Sequence, residues 1–299
     1  MVVPKGETYM TTVDKNNAPP SSPLGRKVEG CIGIFDSGIG GLTVLKEIAK
    51  KLPQYDYVYL GDNARAPYGT RSFETLYQYT LECVQKLFEM NCELVVLACN
   101  TASAKALRNI QQLDLERIAP GKRVLGVIRP TSEIVGKYTQ TKHVGVLGTS
   151  GTVMSDSYKI EIQKLYPDIQ VFQEACSIWV PMVEYDEIET PAADYFIQKH
   201  INALFAKSNK IDTVILGCTH YPLLLHKIKK FVPANVKIVV QGDIVADSLT
   251  DYLKRHSEIE SRISKGGSID FYTTDSTESF DKLAGRFWGG DIRSRHLSL

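Results

Sequence analysis

IGIFDSGIGGLTVL (residues 32–45) and VGVLGTSGTVMSDSY (residues 144–158) follow one plan. Each opens on four apolar residues, crosses a Gly/Ser/Thr turn and runs on into a helix-forming segment. A second pair, VVLACNTAS (95–103) and VILGCTHYP (214–222), again places an apolar strand before a Cys and small polar residues. Gly33 and Gly145 are 112 positions apart, and Cys99 and Cys218 are 119 apart. Two motif pairs in the same order at similar offsets predict a duplicated α/β unit. The surrounding pattern agrees. CIGIF (31–35), YVYL (57–60), LVVLA (94–98) and VLGVI (124–128) read as buried strands. They alternate with helix-period segments at 42–52, 73–90 and 104–110, which is the signature of parallel sheets flanked by helices.

The predicted fold class is therefore α/β: two pseudo-symmetric domains, each a mostly parallel sheet flanked by helices, with the site in the cleft between them. Residues 1–29 carry Asn-Asn, Pro-Pro and Ser-Ser pairs and no apolar period, so they read as a flexible tail. A first domain is expected over 30–125 plus 238–290, a second over 126–237, and a C-terminal tail over 291–299. IDFYTTD (269–275) and FDKLAGRFWG (280–289) read as a last strand and helix returning to the first domain. In open α/β sheets ligands bind beyond the carboxyl ends of the strands, and the polar turns of all four motifs lie at such ends.

Composition narrows the function. Thirty-five Lys and Arg against thirty-four Asp and Glu leave a net charge of +1, without the basic excess of a general nucleic-acid binder. No apolar run reaches the length of about 18 residues that a membrane span needs, and the first thirty residues lack the apolar core of a secretory signal. Six Cys in 299 residues are too sparse for a disulfide scaffold and suggest reduced thiols in a cytoplasm.

Phe35-Asp36-Ser37-Gly38-Ile39-Gly40-Gly41 fails the dinucleotide fingerprint, because Thr43 stands where the third Gly belongs, and no Gly-Lys-Ser/Thr follows. Two readings stay open: a turn whose N–H groups hold an anion, or a tight turn with Asp36 or Ser37 capping a helix. Cys31, Cys83 and Cys92 lie within apolar or helical segments and read as small core residues. Cys99 and Cys218 differ, since each ends a strand where a helix should begin, a setting that favours thiolate. No C-x₂-C or H-x₃-H spacing supports a zinc site, so no metal is expected. A Cys–His–Asn hydrolase would leave the second thiol idle. Two thiols facing each other across a substrate can instead remove and deliver a proton on opposite faces of one carbon. A thiol pKa near 8.5 allows either protonation state. The reading is a racemase or epimerase that uses no cofactor. His220, two residues from Cys218, is the natural thiol partner, and Glu184, after the apolar run 178–183, could orient or charge it. The loop Gly61–Gly69 could bring the Tyr68 hydroxyl into the cleft.

The stretches FDSGIGGLTV, GDNARAPYG, ACNTAS, GTSGTV, VPMVE and LGCTHYPLL, in this order, resemble the glutamate racemases of the aspartate/glutamate racemase superfamily. The resemblance covers about residues 31–290. It implies that Cys99 and Cys218 are the catalytic acid/bases and that Asp36, Glu184 and His220 tune them. It further implies that Asp36, Ser37, Tyr68, Gly69, Asn100, Thr101, Thr149, Thr219 and His220 bind substrate, with Thr152 beside them. The implied substrate is glutamate, the product D-glutamate goes to bacterial peptidoglycan, and the expected state is a cytoplasmic homodimer. Some long-tailed relatives need a cell-wall nucleotide precursor as activator. Arg129 in Val127-Ile128-Arg129-Pro130 departs from the Val-Pro-Ala common in the family. The alternatives are an aspartate racemase of the same superfamily, and a binding protein that closes on an acidic amino acid.

Overall fold

The computed structural model describes residues 30–299; the expected tail, 1–29, lies outside them. Among these residues ten strands form two sheets. Strands β1 (Cys31–Asp36), β2 (Tyr57–Gly61), β3 (Cys92–Leu97), β4 (Arg123–Gly126), β9 (Ile269–Thr273) and β10 (Ser294–His296) make a six-stranded sheet in the order β10-β9-β2-β1-β3-β4. Strands β5 (His143–Gly148), β6 (Gln170–Ala175), β7 (Thr213–Gly217) and β8 (Lys237–Val239) make the second, in the order β6-β5-β7-β8. Every pairing is parallel. The block β2-β1-β3-β4 repeats as β6-β5-β7-β8, so the duplication read from the motifs is a duplication of topology.

The reason lies in the strands. Each residue of β1, β2 and β7 is buried, as a parallel strand covered on both faces by helices requires. The covering helices bury one apolar stripe each. Helix Phe73–Glu89 begins at Ser72, whose hydroxyl accepts from the Thr75 N–H at 3.2 Å, and buries Leu76, Cys83, Val84 and Leu87. Helix Leu42–Lys51 buries Leu42, Leu45, Ile48 and Ala49 and packs on helix Gly242–Arg255.

Four expectations are corrected. β4 stops at Gly126 rather than Ile128, because Ile128 already opens a helix. The helix after β3 is broken into short pieces, Asn100–Lys105 and Leu107–Asn109, and a wide turn at Ile110–Asp114. The expected boundary at 237/238 falls inside β8, which pairs with β7 and so belongs to the second sheet. Ser294–His296, expected as tail, is an edge strand on β9. The short alternation Ser-Arg-His carries no strand signal, and its pairing supplies what its sequence lacks.

Candidate active site

The carboxyl ends of both sheets face one cavity of about 520 Å³. Cys99 and Cys218 both line it, at the ends of β3 and β7, with exposures of 5% and 6%. Around them stand Ser37, Tyr68, Gly69, Asn100, Thr101, Thr149, Glu184, Thr219 and His220. Asp36, the last residue of β1, is buried and reaches both thiol environments electrostatically without being part of the cavity wall.

The two thiols have different neighbours. The Cys99 thiol lies 3.4 Å from the Ser37 hydroxyl. Burial and the Asp36 carboxylate push it up to about 12, against the lowering effect of Ser37 and the Ala102 N–H. Cys99 therefore holds its proton at neutral pH. A charge on Cys218 raises it further, so the two sulfurs sense each other across the cavity. Cys218 Sγ lies 4.0 Å from His220 Nδ1, and His220 Nε2 lies 3.0 Å from Glu184 Oε1. Burial alone would lower the imidazole, but its bonds to Cys218 and Glu184 outweigh that and raise it to about 10. His220 is thus an imidazolium at neutral pH, and both ring nitrogens donate. Phe287 closes the other side of the ring, its centroid 5.3 Å away at an edge-on angle.

Asp36 accepts the Gly38 N–H on Oδ2 at 3.1 Å, while Oδ1 has no hydrogen-bond partner among the described residues. Burial raises its carboxyl, and the nearby imidazolium of His220 opposes the rise. Of the two readings of the Asp36–Gly41 turn, capping by Asp36 or Ser37 is corrected: helix Leu42–Lys51 starts after Gly41 with no side-chain cap, and Asp36 instead closes the turn through Gly38, while Gly40 and Gly41 allow close approach. A Cβ on Gly40 would lie 2.3 Å from Thr219 Oγ1 and 2.4 Å from His220 Nδ1. One on Gly41 would lie 2.6 Å from Asp36 Cβ. The glycines admit the thiol partner of the opposite half.

Three threonines join the halves. Thr101 Oγ1 lies 2.9 Å from Thr149 Oγ1 and 3.4 Å from Thr152 Oγ1. Thr149 caps helix Ser150–Met154 by accepting from the Thr152 N–H at 3.2 Å. Thr152, expected at the substrate, is fully buried behind Thr149 and absent from the cavity wall. Two further residues differ from expectation in detail. The Tyr68 hydroxyl does not enter the cleft; it donates to the buried Asp62 carboxylate, and the ring supplies the wall. The Asn100 amide donates to Gln241 at 2.7 Å and its carbonyl accepts from the Tyr158 hydroxyl at 2.7 Å, so the side chain is tied down behind the cavity.

Sequence reading misses Gln241, Tyr158, Asp62 and the wall formed by Phe280 and Leu283. Asp62 accepts from Arg65 Nε at 2.6 Å and from the Thr274 hydroxyl at 2.8 Å, and thereby ties the Asn63–Thr70 loop to the end of β9. An acid between Gly61 and Asn63, directly after an apolar strand, is a signal the sequence does carry. Gln241 and Tyr158 have none, because their partners are far away in the chain. Among the described residues no group of three or more His, Cys, Asp or Glu is arranged to hold a metal ion. None of their helices is long and apolar enough to cross a membrane.

Two parallel α/β halves place one thiol each on a shared cavity, and the class they belong to is that of the racemases, which are isomerases. Residues 34–248 match the Asp/Glu/Hydantoin racemase family, and the chain belongs to it. It is 40% identical over 269 residues to the glutamate racemase of Sulfurihydrogenibium sp., covering 90% of this chain and 97% of that one. The fold is similar to the glutamate racemase isoform RacE1 from Bacillus anthracis, with a TM-score of 0.82 at 34% identity, over 90% of this chain and 98% of that one. It is also similar to the glutamate racemase of Francisella tularensis in complex with D-glutamate, with a TM-score of 0.80 at 29% identity, again over 90% and 98%.

Proposed function

We propose that this chain interconverts L- and D-glutamate without a cofactor, with Cys99 and Cys218 as acid/bases on opposite faces of the α-carbon. The observation that carries the reading is the unequal pair of thiols on one cavity. Cys218 has the His220 imidazolium as its neighbour, and Cys99, beside the buried Asp36 and pushed up to about 12, is set up as thiol. In this reading Cys218 takes the α-proton of the L isomer, the electron pair moves into the carboxylate, and Cys99 delivers its proton to the other face. The reverse direction exchanges the roles. The Ser37–Gly40 turn, Thr101, Thr149 and Thr219 offer donors for the two carboxylates, while Asp36, His220 and Glu184 set the charge at the thiols.

The match to glutamate racemases favours glutamate over aspartate. A shorter acid would leave one buried donor unpaired, at about 1–3 kcal/mol, or roughly tenfold or more in rate. The test is circular dichroism with L-glutamate, D-glutamate and L-aspartate in turn. The signal of either glutamate isomer should decay to zero, and that of aspartate at least about tenfold more slowly. Equal rates on both acids would remove the glutamate assignment, and a constant signal on all three would remove racemisation. The proposed setting is the bacterial cytoplasm, with D-glutamate supplied to peptidoglycan. The bacterial relatives and six free thiols support that setting. A homodimer and a cell-wall precursor activator rest on the family resemblance. Sedimentation and turnover with and without a UDP-linked muramyl precursor test them.

A further inference from the structure

The wall of the cavity opposite the sheet ends is made by two elements from different halves. Helix Thr277–Trp288 follows β9 in the first half and presents Phe280 and Leu283 to the cavity. Helix Trp179–Glu184 belongs to the second half and presents Val180, Pro181 and Glu184. Its end turns at Tyr185, which lines the cavity yet is 79% exposed, so this is where the cavity opens to solvent. Directly beyond Tyr185, the Asp186 carboxylate receives both terminal nitrogens of Arg286, at 2.5 and 2.6 Å. The pair joins the two halves beside that opening.

We infer that Arg286 and Asp186 are positioning residues that form a latch beside the mouth of the cleft, holding both flanks of His220 in their working places. Asp186 is two residues from Glu184, the carboxylate on His220 Nε2. Arg286 precedes Phe287, whose ring packs edge-on against the same imidazole. One ion pair thus ties the element that charges His220 to the element that covers it. The backbone supports the same assignment. Asp186 has φ +63°, a left-handed conformation that costs a non-Gly residue free energy and that Asp and Asn tolerate best. The turn aims the carboxylate at the facing helix. The fork geometry also fixes orientation as well as distance, which a single-point contact would not. Both side chains are partly exposed, so the latch is a weak one that opens and recloses and is sensitive to salt.

A latch of this kind acts on the fraction of molecules that are closed and ready to bind. Losing it raises KM by the factor by which that fraction falls and leaves the chemical step nearly untouched. Only this kinetic readout rests on the racemase reading. The test uses D186N, which keeps the left-handed turn, R286Q, and the double variant, in the full chain. Each single variant should raise KM for L-glutamate about three- to fivefold with kcat within about twofold, and the double should be no worse than the weaker single. KM of the unsubstituted protein should rise more steeply with ionic strength than that of R286Q. Amide hydrogen exchange over residues 185–188 and 286–289 reads the same opening without any turnover. Faster exchange in both single variants, equal in the double, supports the latch whatever acid the enzyme turns over. Unchanged exchange and unchanged KM in both single variants would overturn it, as would effects that multiply in the double.

Discussion

The two halves of the molecule share a scaffold and differ in their chemistry. By the 112-residue offset Ser37 corresponds to Thr149 and Asp36 to Gly148; by the 119-residue offset Cys99 corresponds to Cys218 and Thr101 to His220. The strand order around these residues is the same in both sheets. The acid of the first half thus has a glycine as its counterpart, and the imidazole of the second half has a threonine. Each half keeps one thiol and gives it a different charge environment: a buried carboxylate beside Cys99, an imidazolium held by Glu184 beside Cys218. Symmetry places two sulfurs on one cavity, and the departures from symmetry give them different charged neighbours.

The largest expected effect tests whether both halves are needed. C99S and C218S put a group of much higher pKa on one face of the carbon. Each should lose roughly 10²–10⁴-fold in racemisation, to a similar extent, while far-ultraviolet circular dichroism stays unchanged. Near-normal turnover in either variant would break the pairing.

The next sharpens the asymmetry. H220N removes the cation beside Cys218, and since the two enantiomers are equal in free energy, kcat/KM should fall by about 10²-fold equally in both directions. The sign of the pH dependence follows from the same group. Its ordinary pKa of about 6.5 is raised to about 10, so the stabilisation from the charged imidazole is fully present below pH 6.5. It declines as pH rises and is gone above about 10. Unfolding in denaturant from pH 6 to 10.5 should show this loss in the unsubstituted protein and a flatter course in H220N. E184Q keeps the hydrogen bond without the charge and should show a smaller activity loss, about tenfold, with the alkaline limb of kcat/KM moved to lower pH.

The smallest effect on chemistry comes from a contact behind the cavity. D62A removes the acceptor of Arg65, Tyr68 and Thr274; Arg65 keeps Glu82 as its partner, so the loss is that of the buried hydrogen bonds to Asp62 and should cost about 1–3 kcal/mol of stability. Thermal unfolding should show it, and KM should rise more than kcat falls, since the loop that Asp62 holds forms the wall rather than the reacting groups.

What is legible in the sequence follows from what local pattern can carry. The buried strands around Ile34, Val96, Val146 and Ile215 are readable because parallel strands covered on both faces are continuous apolar runs. Cys99 and Cys218 are readable because a thiol directly after such a run stands at the ligand-binding end of a sheet. Glu184 and His220 pair by chemistry alone, and they meet at 3.0 Å although they are 36 residues apart. The misses have a common physical cause. Tyr68 reads as aimed at the cleft because its loop lies there, but the hydroxyl finds a stronger acceptor in buried Asp62. Thr152 is one helical turn from Thr149, so capping turns it inward. β10 and the placement of β8 depend on pairing partners, and Ser294–His296 and Lys237–Val239 are too short to announce themselves.

Solvent deuterium incorporation tests the two-thiol account most directly. In deuterated water at low conversion, D-glutamate formed from L-glutamate should carry deuterium at the α-carbon, because Cys99 delivers a proton it exchanged with solvent. The remaining L-glutamate should stay almost unlabelled, because Cys218 alone faces its α-proton and returns that same proton. Starting from D-glutamate, the pattern should reverse. Equal labelling of substrate and product from the first turnovers would mean one base serves both faces, and the division of labour between Cys99 and Cys218 would be wrong.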